Sequence, residues 1–240
     1  MPTSQAQELP AWLDEARRRG ILSRLPDDIV AGVIRGGRRA AYPGGAMVPA
    51  TEERAWAAIV LRGCMRVFVP SRDGAQITLR YMRAGDMIGA FDGTTTALAR
   101  SVQTMRDSEV LHIDAANLQA LARTDAPLAY EMLVETTRML RLAHRAYSIR
   151  AFGSVSLRVA SAILDRARAC GGAETGTVVS GTQHELAIAA GTVREVVATA
   201  LHGLRQEGIV DVHRGRLVIR DYERLFREAD GGLGLAGAID

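Results

Sequence analysis

Two adjacent side chains, Arg194 and Glu195, stand at the start of an amphipathic segment and could recognise hydrogen-bonding groups of opposite kinds. A guanidinium presents a rigid fork of donors, whereas a carboxylate presents only acceptors. From a helix in the major groove of DNA, arginine can bind guanine O6 and N7, and glutamate can accept from cytosine N4. The residues behind the pair form one apolar face with helical spacing: Val197, Ala200, Leu201 and Leu204. The pair therefore suits base reading from the tip of a packed helix.

The residues before this pair predict a helix-turn-helix. Thr182 and Glu185 have the spacing of a capping box, which starts a first helix. Gly191 then falls in the short turn between that helix and the second one. In such units the second helix enters the major groove, and its first residues contact base edges. Two more polar residues follow on the outward face of the second helix, Thr199 and His202.

A β-hairpin is predicted directly after the second helix. Residues 208–220 alternate apolar and polar side chains around Arg214-Gly215. A hairpin at this position is a wing, and its Arg214 and Arg216 would reach DNA phosphates. The alternative for Arg194 and Glu195 is a solvated pair on an ordinary helix. The capping box, the glycine turn and the wing occur in the expected order, which favours the DNA-reading interpretation.

The preceding part of the chain predicts elements that would position and control this unit. Residues 10–35 read as short helices. Residues 38–113 read as many short strands, with a hairpin signal at Asp73-Gly74, and this density is typical of a small sandwich or barrel. A long helix follows, with Asp125 as its cap. Gly153 breaks that helix, so we expect a hinge between two domains at residues 151–156.

Two neighbouring apolar stripes run along the long helix. The first, here called the seam, repeats every 3.5 residues or so and comprises Met132, Met139, Leu142, Ala146 and Ile149. The second, here called the outer stripe, comprises Leu133, Leu140, Ala143 and Tyr147. We expect one of them to cover the chain's own barrel and the other to meet a second copy, with the seam through Met139 and Leu142 as the dimer contact. The alternative is one wide core-facing surface in a monomer.

Composition alone does not argue for nucleic acid. The formal net charge is +3, and residues 153–240 hold about as many acids as arginines, so a DNA-binding interpretation rests on local geometry. No apolar run is long enough for a membrane span, and the N-terminal residues lack the apolar core of a signal peptide. These features predict a cytoplasmic location.

Catalytic and metal sites are not predicted. The sequence contains no Gly-x-Ser-x-Gly, no His-Glu-x-x-His and no P-loop. Cys64 and Cys170 are too few for a disulfide framework and wrongly spaced for zinc or an iron–sulfur cluster, so we expect two ordinary thiols. An enzyme is therefore not the favoured interpretation.

Over about residues 20–225, the chain resembles the Crp/Fnr family of bacterial transcription regulators. The stretch "TQHELAIAAGTVREVVATAL" is similar to the recognition unit of that family. The resemblance implies that Arg194 and Glu195 are base readers and that Gln183 contacts phosphate. It departs from the family at Thr199, where a third reader is commonly arginine, and at Val193, where serine is usual.

The resemblance also implies an effector site, from which this chain departs further. In the family's phosphate-binding cassette, "MIGAFDGTTTALARSVQ" keeps Gly89, Arg100 and Ser101, but Ala90 replaces the glutamate that accepts from a ribose hydroxyl. Arginine with a neighbouring hydroxyl suits a phosphate or carboxylate. On the long helix, the two positions that meet adenine in the cyclic-AMP-binding members are Ala143 and His144. The alternative for Arg100 is a structural arginine.

Taken together, these residues predict an α+β protein with four regions. They are an effector-sensing β-barrel (jelly roll) of the cyclic-nucleotide-binding type with N-terminal helices at 1–124, a dimerisation helix at 125–151, a winged helix-turn-helix at 152–226 and a flexible tail at 227–240. The expected function is a homodimeric regulator that reads pseudo-palindromic double-stranded DNA, with RNA polymerase as a further partner. Ordinary control by cyclic AMP is not expected. Three alternatives stay open for the effector pocket: it is empty, it is filled by side chains, or it holds a small anionic or nucleotide-like ligand through Arg100.

One alternative function is also compatible with the sequence. The chain could be a ligand- or haem-sensing signalling module whose C-terminal domain contacts protein, with His112 or His144 as the haem ligand. The outward face of residues 194–206 discriminates between the two, because a protein-docking face should be more apolar than a DNA-reading face.

Overall fold

The computed structural model describes residues 9–49, 56–89 and 100–231. Its contacts divide the chain into two compact units, the first being Met1–Val67 with Met82–Arg138 and the second Phe68–Tyr81 with Met139–Asp240. This division differs from the boundaries expected at 124 and 151. The long helix is divided between the two units after Arg138, and residues 68–81 group with its second half, where Arg150 Nη2 donates to the Thr78 carbonyl at 2.7 Å.

The first unit begins with short helical segments, as predicted for residues 10–35. Single 3-10 turns at Ala11–Leu13 and Ile21–Arg24 alternate with helices α1, Asp14–Arg17, and α2, Asp27–Ile34. Their apolar side chains enter the core of this unit, including Leu13, Ala16, Leu22 and Val30. The apolar spacing read from the sequence thus corresponds to a real buried face.

Two four-stranded sheets form the centre of the strand region. The strands are β1 Arg38–Tyr42, β2 Met47–Val48, β3 Trp56–Arg62, β4 Cys64–Pro70, β5 Gln76–Arg83, β6 Met87–Gly89, β7 Ser101–Thr104 and β8 Ser108–Asp114. One sheet has the order β1-β8-β3-β6, and the other β2-β7-β4-β5. The expected α+β class with a jelly-roll arrangement is confirmed, but as two sheets of a sandwich instead of a closed barrel.

Strand β3 explains how this region is stabilised. Because side chains alternate across a strand, Ile59 and Leu61 enter one apolar cluster, whereas Ala58 and Val60 enter another. Both faces of β3 are therefore buried, which accounts for its uninterrupted apolar sequence. Burial of this kind stabilises the sandwich by about 25 cal/mol for each Å² of apolar surface removed from water.

Two helices follow the sandwich. Helix α3 spans Ala115–Thr124, and Asp114 accepts from the Ala116 N–H at its start. Helix α4 spans Ala126–Phe152, and the Asp125 carboxylate accepts from the Leu128 N–H at 2.7 Å. The predicted cap of the long helix is thus confirmed.

On α4, the seam expected as the dimer contact is the more buried of the two stripes. Met132, at one end of the seam, lies in the core of the first unit, and Ile149, at the other end, is buried, while the seam residues between them are half-buried. The outer stripe is exposed instead, with Leu133 at 62%, Leu140 at 54% and Tyr147 at 73% of their full accessible surface. The outer stripe is consequently the more exposed of the two stripes.

The second unit contains a winged helix-turn-helix. Its elements are α5 Val155–Cys170, β9 Val178–Ser180, α6 Gln183–Ala190, α7 Arg194–Gln206, β10 Val210–His213, β11 Arg216–Ile219 and α8 Tyr222–Asp230. The three strands form an antiparallel sheet in the order β10-β11-β9. Helix α8 continues beyond residue 226 and buries Ala229, so the flexible tail expected from residue 227 is wrong for residues 227–230.

The break between α4 and α5 has the expected cap. The Ser154 side chain accepts from the Leu157 N–H at 3.2 Å, and α5 begins at Val155. Within the same unit, Arg145 of α4 donates to Asp165 of α5 at 3.2 Å. The serine cap therefore fixes where α5 begins, and the Arg145–Asp165 ion pair joins α4 to α5.

Neither Cys64 in β4 nor Cys170 in α5 is a free thiol, so the expectation of two ordinary thiols is wrong. Among the described residues, we find no helix that combines the length and apolar character needed to span a membrane.

Candidate nucleic-acid interface

The turn between α6 and α7 has the geometry expected of a helix-turn-helix. Both hydrogen bonds of the capping box are present: the Glu185 N–H donates to Thr182 Oγ1 at 3.2 Å, and the Thr182 N–H donates to Glu185 Oε2 at 3.1 Å. Gly191 ends α6 in the left-handed conformation at φ 62° and ψ 48°, which glycine adopts at little cost. These contacts fix where α7 begins.

A buried arginine of α5 binds the glutamate of the capping box. The Arg166 side chain is 4% exposed, and its Nη1 donates to Glu185 Oε2 at 3.0 Å. Gly181, at φ 140°, leaves room for this guanidinium, because a Cβ there would clash with it. The sequence did not point to Arg166 as part of this unit, since its partner lies in another helix.

Helix α7 divides into a packed face and an outward polar face. Its four predicted core residues are buried in the cluster of the second unit: Val197, Ala200, Leu201 and Leu204. The predicted readers and their neighbours are exposed: Arg194, Glu195, Thr199, His202, Arg205 and Gln206. A face that docks on protein should be more apolar than this one. The polar outward face of α7 therefore favours DNA over a protein partner.

The side chains of Arg194 and Glu195 are available for a ligand. Within the parts of the chain that the structure describes, neither side chain makes an ion pair or hydrogen bond. Thr199 differs, because its hydroxyl donates to the Glu195 carbonyl at 3.2 Å. Thr199 thus has its hydroxyl proton in use, although the residue is exposed.

The start of α7 has no side-chain cap. Val193 occupies the N-cap position in an extended conformation, and its side chain cannot accept from the first N–H groups of the helix. Those N–H groups carry the positive end of the helix dipole and suit a phosphate. Gln183, the other predicted phosphate contact, is half-buried at the first position of α6.

The predicted wing is a regular hairpin. Its strands pair from Val210 with Ile219 to His213 with Arg216, which leaves Arg214 and Gly215 as the two-residue turn. Arg214 and Arg216 are both exposed there, as the sequence analysis expected. His213 is also exposed at the wing and was not predicted as part of the interface. The alternation of apolar and polar residues that predicted the strand also places His213 on its exposed face, so this pattern could have identified His213.

An ion pair closes the base of the wing. Arg220 Nε donates to Asp211 Oδ2 at 2.7 Å. This hydrogen bond is the main reason that the pKa of Asp211 is lowered from its ordinary value. The carboxylate is therefore held in its ionised form, and the Arg220 guanidinium beside it offsets its charge at the base of the wing.

The effector residues expected in the sandwich fall on both sides of the undescribed segment 90–99. Gly89 ends β6 and is half-buried, Arg100 is exposed, and the half-buried Ser101 begins β7. Ala90 lies outside the described residues. The other two predicted effector residues, Ala143 and His144, are exposed on α4 within the second unit.

His112, one of the two histidines considered for haem, has a protein partner. Its Nε2 lies 2.9 Å from the Tyr42 hydroxyl across the β1–β8 pairing. Burial, together with the nearby Arg38 charge, lowers the pKa of His112. The ring is thus held as a neutral hydrogen-bonding group of the sandwich, and this arrangement lends no support to a haem-ligand role.

Comparison with protein families gives two matches. A cyclic nucleotide-binding domain matches residues 41–125, and a Crp-like helix-turn-helix domain matches residues 157–228. The second match contains α6, the Gly191 turn, α7 and the wing.

Known proteins and structures are similar over most of the chain. The cyclic AMP receptor protein of Thermus thermophilus is 30% identical over 167 residues, which cover 68% of this chain and 74% of that protein. The cAMP-activated global transcriptional regulator Vfr of Pseudomonas aeruginosa is 24% identical over 167 residues, covering 67% and 78%. A solved regulator of the crp/fnr family from Eubacterium rectale shares the fold, with a TM-score of 0.69 and 19% identity over 87% of this chain and 97% of that chain.

Proposed function

The chain is a DNA-binding transcription regulator of the Crp/Fnr family, and we propose that it acts as a homodimer that reads a pseudo-palindromic site without needing cyclic AMP. The observation that carries the reading mechanism is the outward tip of α7. There, Arg194 and Glu195 are exposed side by side. A forked donor beside an acceptor can read two neighbouring base pairs, for example guanine next to cytosine.

Phosphate contacts would orient α7 on the duplex. Along the chain, the base readers follow Gln183 and the uncapped start of α7, and the wing arginines come after them. Phosphate contacts fix register but carry no sequence information. In this assignment Arg194, Glu195, Thr199 and His202 specify sequence, whereas Gln183, Arg214 and Arg216 anchor the unit.

The outer stripe of α4 supports the homodimer. Leu133, Leu140 and Tyr147 repeat every seven residues and are more than half exposed. An exposed heptad stripe on a 27-residue helix is well suited to pack against the same stripe of a second copy. Two copies related by a two-fold axis would present two α7 helices to two half-sites of opposite orientation.

The location and the further partner follow from the action on DNA. A regulator that binds chromosomal DNA in a bacterium acts in the cytoplasm, so we assign it there. RNA polymerase is included as a partner because a bound regulator of this kind changes transcription at the site it occupies.

The effector site argues against ordinary control by cyclic AMP. Ala90 offers no carboxylate to a ribose hydroxyl, and Ala143 offers no hydroxyl to the base. Each buried ligand group left unpaired costs about 1–3 kcal/mol. Two such losses weaken affinity by roughly a hundredfold or more, since 1.4 kcal/mol is about tenfold. An anionic effector held through Arg100 and Ser101 fits the retained residues better.

Calorimetry of the full chain with cyclic AMP tests this assignment. We expect no isotherm in the micromolar range, together with DNA binding that is unchanged when the nucleotide is added. Arg100→Ala is the matched variant, because it removes the phosphate partner that the resemblance implies. A micromolar isotherm that Arg100→Ala abolishes would restore cyclic-AMP control and contradict the proposal.

A further inference from the structure

The second unit contains an open cleft of about 300 Å³ along the flank of α7. Three elements form its walls: the first turn of α5, one side of α7 and the last turn of α8. We call it the α7 cleft and define it by Val155, Ser156, Val196, Thr199, Gly203, Glu207 and Glu228. Its volume is at the lower limit of ligand pockets, which suits a few small apolar side chains.

The α7 cleft has an apolar interior and acidic margins. Val155 and Val196 are half-buried on opposite walls, and a Cβ added at Gly203 would meet no atom within 4 Å, so there is empty space beside α7. Of the two carboxylates at the cleft, Glu207 pairs with Arg224 at 3.0 Å, and Glu228 is exposed. The interior therefore favours an apolar occupant, and the charges remain in water.

The chain leaves α8 beside this cleft. Glu228 is three residues before Gly231, where the described part of the chain ends. Gly231 lies against Leu157 so closely that a Cβ there would clash with that side chain. Leu157 directly follows Val155 and Ser156, which line the cleft. The last described residue is thus next to two of the three walls.

The residues that follow Gly231 have the composition that the cleft requires. Residues 232–240, GLGLAGAID, are glycine and aliphatic residues with one charge, Asp240. We propose that this segment binds in the α7 cleft of its own chain, with Leu233 and Leu235 as the inserted side chains. Residues i and i+2 of an extended segment face the same way, and four extended residues reach about 13 Å.

The hydroxyl groups of the cleft complete the fit. An extended segment brings backbone N–H and C=O groups that need partners when they leave water. Ser156 is exposed at one wall, and the Thr199 oxygen keeps acceptor capacity while its proton is donated to Glu195. Because Thr199 also belongs to the outward face of α7, binding would place an apolar segment against the flank of the DNA-reading helix. The inference goes beyond DNA reading and does not depend on it.

Photo-crosslinking in the full chain tests the proposal. Leu235 is replaced by p-benzoylphenylalanine, and the crosslinked peptides are identified by mass spectrometry after illumination. We expect crosslinks to residues 155–156 and 196–207. The same photoreactive residue at Val178, exposed in β9, is the control and should not crosslink to the cleft.

A second variant shows whether the cleft itself is the binding site. Gly203→Leu fills the empty space beside α7 and raises helix propensity, so the unit should stay folded, which circular dichroism checks. We expect the crosslinked fraction at the cleft to fall about tenfold, which corresponds to 1.4 kcal/mol. Crosslinks that persist in Gly203→Leu, or that form outside the cleft, would overturn the proposal.

Mixed labelling separates an intramolecular contact from exchange between copies. Equal amounts of ¹⁵N-labelled and unlabelled chain are unfolded, mixed and refolded together before illumination, so that dimers with both labels form. We expect both crosslinked peptides to carry the same label. Mixed-label pairs would mean that a second copy supplies the segment, and the proposal of binding within one chain would be wrong.

Discussion

Arg194 and Arg216 are exposed arginines with different assigned roles, so alanine variants can separate base reading from anchoring. Arg194→Ala should weaken binding to the specific site by about 1–3 kcal/mol, because a bidentate contact to guanine is lost. Binding of the same variant to random DNA should be almost unchanged. Fluorescence anisotropy with a specific and a scrambled duplex at one salt concentration measures both.

The matched variant, Arg216→Ala, should give a different pattern. Loss of a phosphate contact weakens specific and random DNA alike and reduces the salt dependence of binding. If Arg194→Ala also lowered both affinities equally, Arg194 would be an anchoring residue, and the assignment of α7 to the major groove would be wrong.

At the residue scale, the sequence predicts roles that depend on local spacing and misses roles that depend on contacts between distant residues. Arg194 and Glu195 could be singled out because their position relative to the apolar face depends only on helical spacing. Arg166 could not, since its role depends on reaching Glu185 and on the space left by Gly181. Those contacts join residues far apart in the chain, and no periodicity reports them.

The N-terminus of α7 provides a prediction at the element scale. Val193 is 59% exposed at an N-cap position with no side-chain hydrogen bond. Val193→Ser should raise the free energy of unfolding by about 1 kcal/mol, because a serine oxygen can accept from an unpaired N–H of the first turn. Urea denaturation measures the change as a higher midpoint at constant slope.

A second exposed valine is the control for this variant. Val178, 47% exposed in β9, has no helix terminus to cap. Val178→Ser should therefore bring no gain in stability. If Val193→Ser raised the free energy of unfolding no more than Val178→Ser does, the N–H groups at the start of α7 would already have partners, and the prediction would be wrong.

The faces of α4 show what periodicity leaves open at the element scale. Heptad spacing predicted the seam and the outer stripe, but spacing fixes only the angle between two stripes on a helix. Which stripe turns inward depends on the core that α4 meets, and Met132 packs there with strands and helices from distant parts of the chain. For the same reason, strand signals predicted the β-rich region but not whether its sheets would close into a barrel.

The oligomeric state is a prediction at the scale of the whole molecule. Leu140→Glu places a charge in the centre of the outer stripe, facing its own symmetry mate in the proposed dimer. Burying like charges without partners is unfavourable, so sedimentation velocity should show a monomer. Arg141→Glu is the matched control, because the next residue lies about 100° around the helix and is also exposed. It should remain a dimer.

A dimer that survives Leu140→Glu would place the interface elsewhere. Charged substitutions at Met139 and Leu142 test the dimer interface less well than Leu140→Glu does, because both side chains are half-buried within their own chain. Charged residues there could unfold the unit instead of separating two copies.

At this scale, the order of regions was predictable, but their grouping was not. Helices, strands, the long helix and the winged unit follow in the expected sequence. The hairpin segment 68–81 nevertheless groups with the second unit, where Arg150 binds the Thr78 carbonyl. A hydrogen bond between residues 72 positions apart leaves no trace in a local sequence pattern.

Selection of DNA from a random-sequence pool, with the full chain and no added cyclic nucleotide, tests the central claim most directly. The account predicts an enriched pseudo-palindrome whose half-site centres are about 10–10.5 bp, or roughly 34 Å, apart, as two α7 helices on one face of the duplex require. Arg194→Ala should lose the preference at one position of each half-site. Enrichment of an asymmetric site, enrichment only after cyclic AMP is added, or no enrichment at all would contradict it.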